Sequence, residues 1–95
     1  MNQCLHIIVK GQVQGVSFRM HTKNQASKLN IRGFVRNLVE GHVEILAHGE
    51  PEALQQLLAW SRIGPPRAIV REVITTVQES SEVFDSFEIL SQLEQ

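Results

Sequence analysis

Nine consecutive residues, Gly11-Gln12-Val13-Gln14-Gly15-Val16-Ser17-Phe18-Arg19, carry the densest chemistry in the chain. They run from the end of an alternating apolar segment into the start of a helically spaced one. At such a junction the backbone amides of the incoming helix lack carbonyl partners, and the helix dipole adds partial positive charge at the same point. Gly15 permits close backbone approach to a ligand. Arg19 falls in the first helical turn, where a cation is electrostatically misplaced unless an anion sits beside it. A phosphate resolves that conflict, because a guanidinium fork grips two of its oxygens while loop amides hold the rest. Taken alone, the same residues also fit a plain strand-turn-helix in which Gly11 and Gly15 serve the turn and Arg19 is solvated. The spacing matches neither G-x-x-x-x-G-K-[ST] nor G-x-G-x-x-G, so nucleotide binding has no support.

Other reactive side chains offer less. Ser17 is a candidate helix N-cap, and as a nucleophile it lacks any histidine base identifiable from spacing. His42 and His48 are six strand positions apart, about 20 Å, which is too far to share an ion. His6 and His21 lie on different elements without H-x-x-x-H spacing, so no metal site and no cofactor is expected. Cys4 is the only cysteine, which rules out an intramolecular disulfide and a multi-cysteine zinc site. It reads as a small hydrophobe at the start of a strand.

The elements that position the loop follow from periodicity. Leu5, Ile7 and Val9 alternate with His6, Ile8 and Lys10 in a strand over Leu5 to Val13. Phe18, Thr22, Ala26 and Leu29 recur at helical spacing, and Asn30 can adopt the left-handed conformation that ends a helix. Gly33 to Leu38 reads as a second strand, Glu40-Gly41 as a turn, and His42 to His48 as a third strand. Pro51 opens a second helix with an apolar stripe of Leu54, Leu57, Leu58 and Ile63, stopped before Gly64-Pro65-Pro66. A long strand spans Ile69 to Val77, and Phe87 to Leu90 adds a short one. The order β-α-β-β-α-β plus a terminal strand predicts an α+β, ferredoxin-like sandwich. Its sheet is mixed but mainly antiparallel, with two helices on one face.

Composition narrows the function classes. Ninety-five residues, 42% of them hydrophobic and 20% charged, suit one globular domain spanning residues 1–95. A formal net charge of -1 supplies no field for nucleic acid or anionic lipid, so any anion site must be local. The start of the chain lacks a signal-peptide pattern and no run approaches the ~18 apolar residues of a membrane span, so a cytoplasmic location is expected.

The nine-residue segment closely resembles the G-x-V-Q-G-V-x-F-R signature of acylphosphatases. The resemblance continues through Gly33-Phe34-Val35-Arg36-Asn37, Gly41-His42-Val43-Glu44 and Gly64-Pro65-Pro66-Arg67-Ala68, nearly the whole chain. Departures are small: Glu40 stands where Asp is frequent, Asn30 where Gly often ends the first helix, and Pro66 follows the Gly-Pro pair. The resemblance implies that Arg19 binds the phosphoryl group and that Asn37 positions the attacking water. It makes Gln14, Gly15, Val16, Ser17 and Phe18, together with Arg19, the phosphate cradle.

That chemistry needs few groups. An acyl phosphate expels a carboxylate whose conjugate acid has a pKa of about 4 to 5, so no general acid is required at neutral pH. Phosphoryl transfer is then mainly positioning and charge stabilisation. The resemblance implies hydrolysis of an acyl phosphate with release of inorganic phosphate; the absent ligand spacing adds independence from metal, and a monomer is expected. Two other classes compete. A ferredoxin-like RNA-binding module would present stacking aromatics on central strands, and the strand Leu5 to Val13 contains none. An accessory domain of a larger carbamoyl-transferring protein is disfavoured by the short free chain.

Overall fold

Alternation of apolar and polar residues along the strands decides which face of the sheet is covered. The computed structural model describes residues 2–79 and 83–91. It contains β1 (Gln3–Gln12), α1 (Phe18–Lys28), β2 (Arg32–Asn37), β3 (Val43–Gly49), α2 (Pro51–Ser61), β4 (Ile69–Gln78) and β5 (Phe87–Ile89). The sheet order is β4-β1-β3-β2-β5. β1 runs antiparallel to β3 and β4, β2 runs antiparallel to β3, and β2 pairs parallel with β5. β1 and β2 are therefore parallel with β3 between them, and β3 and β4 are parallel with β1 between them. These two interlocked split βαβ units make the ferredoxin-like α+β sandwich that the element order predicts.

One sheet face carries Leu5, Ile7, Val9, Val35, Val43, Ile45 and Ala47, all buried against both helices. Phe18, Thr22 and Ala26 of α1 and Leu54, Leu57 and Leu58 of α2 supply the helical half of this core. The opposite face mixes Cys4, Ile8, Phe34 and Leu46 with charged and polar side chains. There Glu44 accepts from the His6 ring (Nε2 to Oε2, 2.7 Å) and from Arg36 Nε (2.5 Å), while the Arg36 guanidinium lies 5.0 Å from the Phe34 ring centroid. Burial pushes the Glu44 carboxyl up, but the His6 and Arg36 contacts outweigh it and hold its pKa below the usual carboxylate range.

Asn30 takes the left-handed conformation (φ 56°) expected at the end of α1. Ile31 N–H donates to Ala26 O (2.9 Å) and Asn30 N–H to Ser27 O (3.3 Å), the paired bonds of a Schellman ending. Two details differ from the periodic reading. Ile63 does not extend the α2 stripe: the helix stops at Ser61 and Ile63 is 74% exposed. Along β4 the alternation is interrupted, because Lys10 pairs with Glu72 but Gly11 pairs with Val70. Arg71 is thus the extra residue of a bulge, which turns both Val70 and Val73 toward the core.

Candidate active site

β1 ends at Gln12, and the chain drives Val13, 1% exposed, into the core before turning. The turn from Gln14 to Ser17 contains two left-handed residues, Gly15 (φ 75°) and Ser17 (φ 63°, ψ 27°). A side chain at Gly15 would meet nothing within 4 Å, so the torsion and not crowding calls for glycine there. Ser17 adopts the same region with a Cβ, at a cost of about 1–2 kcal/mol. Phe18 secures the turn from below, fully buried with its ring 5.3 Å from the Trp60 ring.

Ser17 occupies the N-cap position of α1 but makes no side-chain capping bond, which departs from its expected role. Its left-handed backbone replaces the extended conformation from which a cap side chain reaches back. Its carbonyl accepts from His21 N–H (3.1 Å) and His21 Nδ1 (2.8 Å), so the helix ladder begins there. The preceding amides, Phe18 to Met20, have no intrahelical acceptor. The first turn also contains no acidic residue.

This bare helix start borders a cleft of about 400 Å³ lined by Val13, Gly15, Ser17, Phe18, Arg19, Met20, Asn37 and Ile89. Arg19 is half-buried, and among the described residues no carboxylate pairs with it. Asn37 ends β2 on the same sheet face as Val35, two residues earlier, and pairs in register with Val43. Its Oδ1 is buried and has no hydrogen-bond partner. An unmet buried acceptor costs about 1–3 kcal/mol, and Asn37 is itself one of the residues lining the cleft. The arrangement can hold an anion through amides and a guanidinium while offering an acceptor to a neighbouring water.

The other expected site residues are placed differently. The Gln14 side chain is turned to the β2–β3 connection, where Nε2 donates to Leu38 O (2.7 Å) and His42 O (2.9 Å). Val16 packs against the edge of the core. Met20, Ile89 and Val13 line the cleft without having been singled out from the sequence. Met20, a 54% exposed apolar residue directly after Arg19, carried a usable signal; Ile89 reaches the cleft only because β5 pairs with β2. Among the described residues no group of three His, Cys, Asp or Glu side chains is arranged to hold a metal ion.

The chain is a small ferredoxin-like α+β sandwich with an uncapped helix start and an arginine without a carboxylate partner among the described residues on one cleft. The chain matches the family model for acylphosphatase over residues 5–89. It is 46% identical to an acylphosphatase of Vibrio cholerae serotype O1 over 88 residues, which cover 93% of this chain and 97% of that one. The crystal structure of an acylphosphatase from Bacillus subtilis superimposes with a TM-score of 0.89 at 39% identity, covering 95% of this chain and 99% of the other. Full-length HypF, in a phosphate- and nucleotide-bound structure, contains the same fold at 30% identity and TM-score 0.88, in a match covering 97% of this chain but 12% of HypF. The chain belongs to the acylphosphatase family, a family of enzymes.

Proposed function

We propose that this chain is a single-domain acylphosphatase that hydrolyses the carboxyl-phosphate bond of an acyl phosphate to a carboxylate and inorganic phosphate, with Arg19 and Asn37 as its catalytic residues. The observation that carries this reading is the buried, unpartnered Oδ1 of Asn37 on the same cleft as Arg19 and the bare start of α1. The phosphoryl group sits on the amides from Gln14 to Phe18, with the Arg19 fork across two of its oxygens. Asn37 Oδ1 accepts a hydrogen bond from a water and aims its lone pair at phosphorus. The water oxygen bonds to phosphorus as the bond to the acyl oxygen breaks, and the carboxylate leaves with that electron pair. The water's proton passes to a phosphoryl oxygen of the substrate. No residue of the cleft is acidic, and with a leaving group this stable none is needed.

The same reading makes the enzyme independent of divalent metal, monomeric and cytoplasmic; among the described residues no helix is long and apolar enough to cross a membrane. Phosphate release from acetyl phosphate, measured with and without chelator, tests the activity. Turnover that survives chelation is expected, and a loss restored by added metal would refute metal independence. Phosphate titration followed by amide NMR locates the site. The amides of Gln14 to Arg19 are expected to move most, and shifts confined elsewhere would displace the site from the start of α1.

A further inference from the structure

The best-satisfied polar side chain beside the cleft does not face it. Gln14 Nε2 donates one proton to Leu38 O at 2.7 Å and the other to His42 O at 2.9 Å. Those two carbonyls also close the turn that follows β2: Leu38 O accepts from Gly41 N–H (3.0 Å), and His42 O accepts from Leu38 N–H (2.9 Å). Asn37 immediately precedes Leu38. The turn's outer residues, Val39 and Glu40, are exposed and give it no packing support. Among the described residues, the side-chain bonds to the backbone just after Asn37 are the two from Gln14, which add to the two turn bonds. The Gln14 pair ties that backbone to the loop on which a phosphate would rest.

We propose that Gln14 is a positioning residue for Asn37, setting the separation between the water-aiming amide and the phosphate loop; this rests on the reading of Asn37 as the group that orients water. The chemistry explains why a glutamine suits the task. Two carbonyl oxygens must be met from one side chain, which takes a planar NH₂ with two donors and no charge to desolvate. A lysine would bring a charge to a half-buried site, and a carboxylate would set lone pair against lone pair. A water attacking phosphorus tolerates little misplacement, since an error near 1 Å can cost on the order of 10²-fold in rate. The phosphate contacts lie on the loop and Arg19 and do not pass through the β2–β3 turn. Loss of the Gln14 cross-link should therefore reach turnover and spare binding.

Gln14→Met keeps the length of the side chain and removes both donors. With acetyl phosphate as substrate, kcat is expected to fall about tenfold or more, while inhibition by inorganic phosphate stays within about threefold of wild type. In an Asn37→Ala background the same change should lower kcat less than about twofold further, because the residue it positions is gone. Full multiplication of the two losses, an equal loss of phosphate affinity, or a folded Gln14→Met with wild-type kcat would each overturn the proposal. If Asn37→Ala itself turns over normally, the reading of Asn37 falls instead, and the single variants tell the two failures apart. Should Gln14→Met prove unfolded by circular dichroism, Gln14→Leu, which also removes both donors and adds no charge beside the loop, takes the same three measurements against the same expected values.

Discussion

At the β3–α2 junction the chain leaves Gly49, passes through Glu50 in extended conformation (φ -65°, ψ 145°), and enters the helix at Pro51 with Glu52 in the first turn. At the β1–α1 junction it passes through left-handed Gly15 and Ser17 and places Arg19 in the first turn with no acid beside it; neither helix start makes a side-chain capping bond. Both junctions perform the same topological task, carrying a strand into the helix that packs on the same sheet face. The α2 start follows the local rules: proline at the first helical position and a carboxylate on the positive end of the dipole. The α1 start breaks each of them. A strained backbone and a misplaced cation persist only where something else compensates, which is why such departures concentrate at functional sites. On the proposed reading of Arg19 and Asn37, the contrast between the two helix starts separates scaffold from site within one small fold.

The sharpest way to break that contrast is to remove the cation. Arg19→Gln should leave the fold intact, since the side chain is half-buried and has no ion-pair partner among the described residues. If the fork stabilises transition-state charge as phosphoryl-transfer arginines do, turnover of acetyl phosphate should fall by about 10³ to 10⁵. Phosphate affinity, read from product inhibition, should fall with it. A folded variant within tenfold of wild type would make Arg19 an ordinary surface cation and the two junctions equivalent.

Asn37→Ala acts on the other half of the cleft and should lower turnover by about 10² or more while phosphate affinity stays largely intact. It also removes a buried unmet acceptor, so the variant should be no less stable than wild type, and slightly more so if no water meets that oxygen in the free enzyme. Steady-state kinetics with phosphate inhibition, and thermal melts of both proteins, test the pair of expectations. Equal losses of phosphate affinity in the Arg19 and Asn37 variants would dissolve the division between binding and water positioning.

The legibility of these features in the sequence was uneven for physical reasons. Elements with a strong period, β1 through Leu5, Ile7 and Val9 and α1 through Phe18, Thr22 and Ala26, were readable because burial repeats with the backbone. Arg19 stood out because it contradicts a helix dipole, although the same residues fitted a solvated surface cation and the resemblance to acylphosphatases was what favoured a phosphate partner. Asn37 was not readable from local rules, since nothing in Gly33 to Asn37 tells which loop the end of β2 will face; strand order decides that, and only the resemblance to acylphosphatases pointed to it. The second role of Gln14 was invisible because its partners are backbone carbonyls, which carry no residue signature. Ile63 misled by fitting the helical period two residues beyond the end of α2 at Ser61, just before Gly64 (φ 74°) turns the chain away. The β4 bulge was hidden because Val70 and Val73 each fit an alternating strand, only in different phases.

Exchanging first-turn chemistry between the helices sharpens the comparison at smaller amplitude. Met20→Glu gives α1 an acid of the kind α2 already has. The new carboxylate should compete with phosphate for the same positive end, weakening phosphate binding about two- to fivefold, which corresponds to the roughly 0.3–1 kcal/mol of such dipole interactions. Without phosphate the variant should melt higher than wild type. Glu52→Gln should do the reverse for α2, lowering stability by about 0.3–1 kcal/mol with kcat and KM unchanged. A phosphate affinity that ignores Met20→Glu would show that the anion does not sit at the start of α1.

The smallest effect is expected at Ser17, where the junction departs most from an ordinary cap. Because its side chain makes no capping bond, Ser17→Ala should escape the ~1 kcal/mol that loss of a working cap costs. Ser17→Gly relieves the left-handed strain at some cost in unfolded-chain entropy, so a net gain of about 0.5–1 kcal/mol is expected. Both variants should hydrolyse acetyl phosphate at near wild-type rates, since a carboxylate leaving group needs no covalent intermediate and no histidine stands as base to the hydroxyl. Thermal melts and initial rates measure both outcomes, and rapid acid quench searches for a phosphorylated protein. A trapped phosphoserine would make Ser17 the nucleophile. A Ser17→Ala loss of 1 kcal/mol or more, on the scale of an ordinary cap, would mean that the hydroxyl caps α1 in solution.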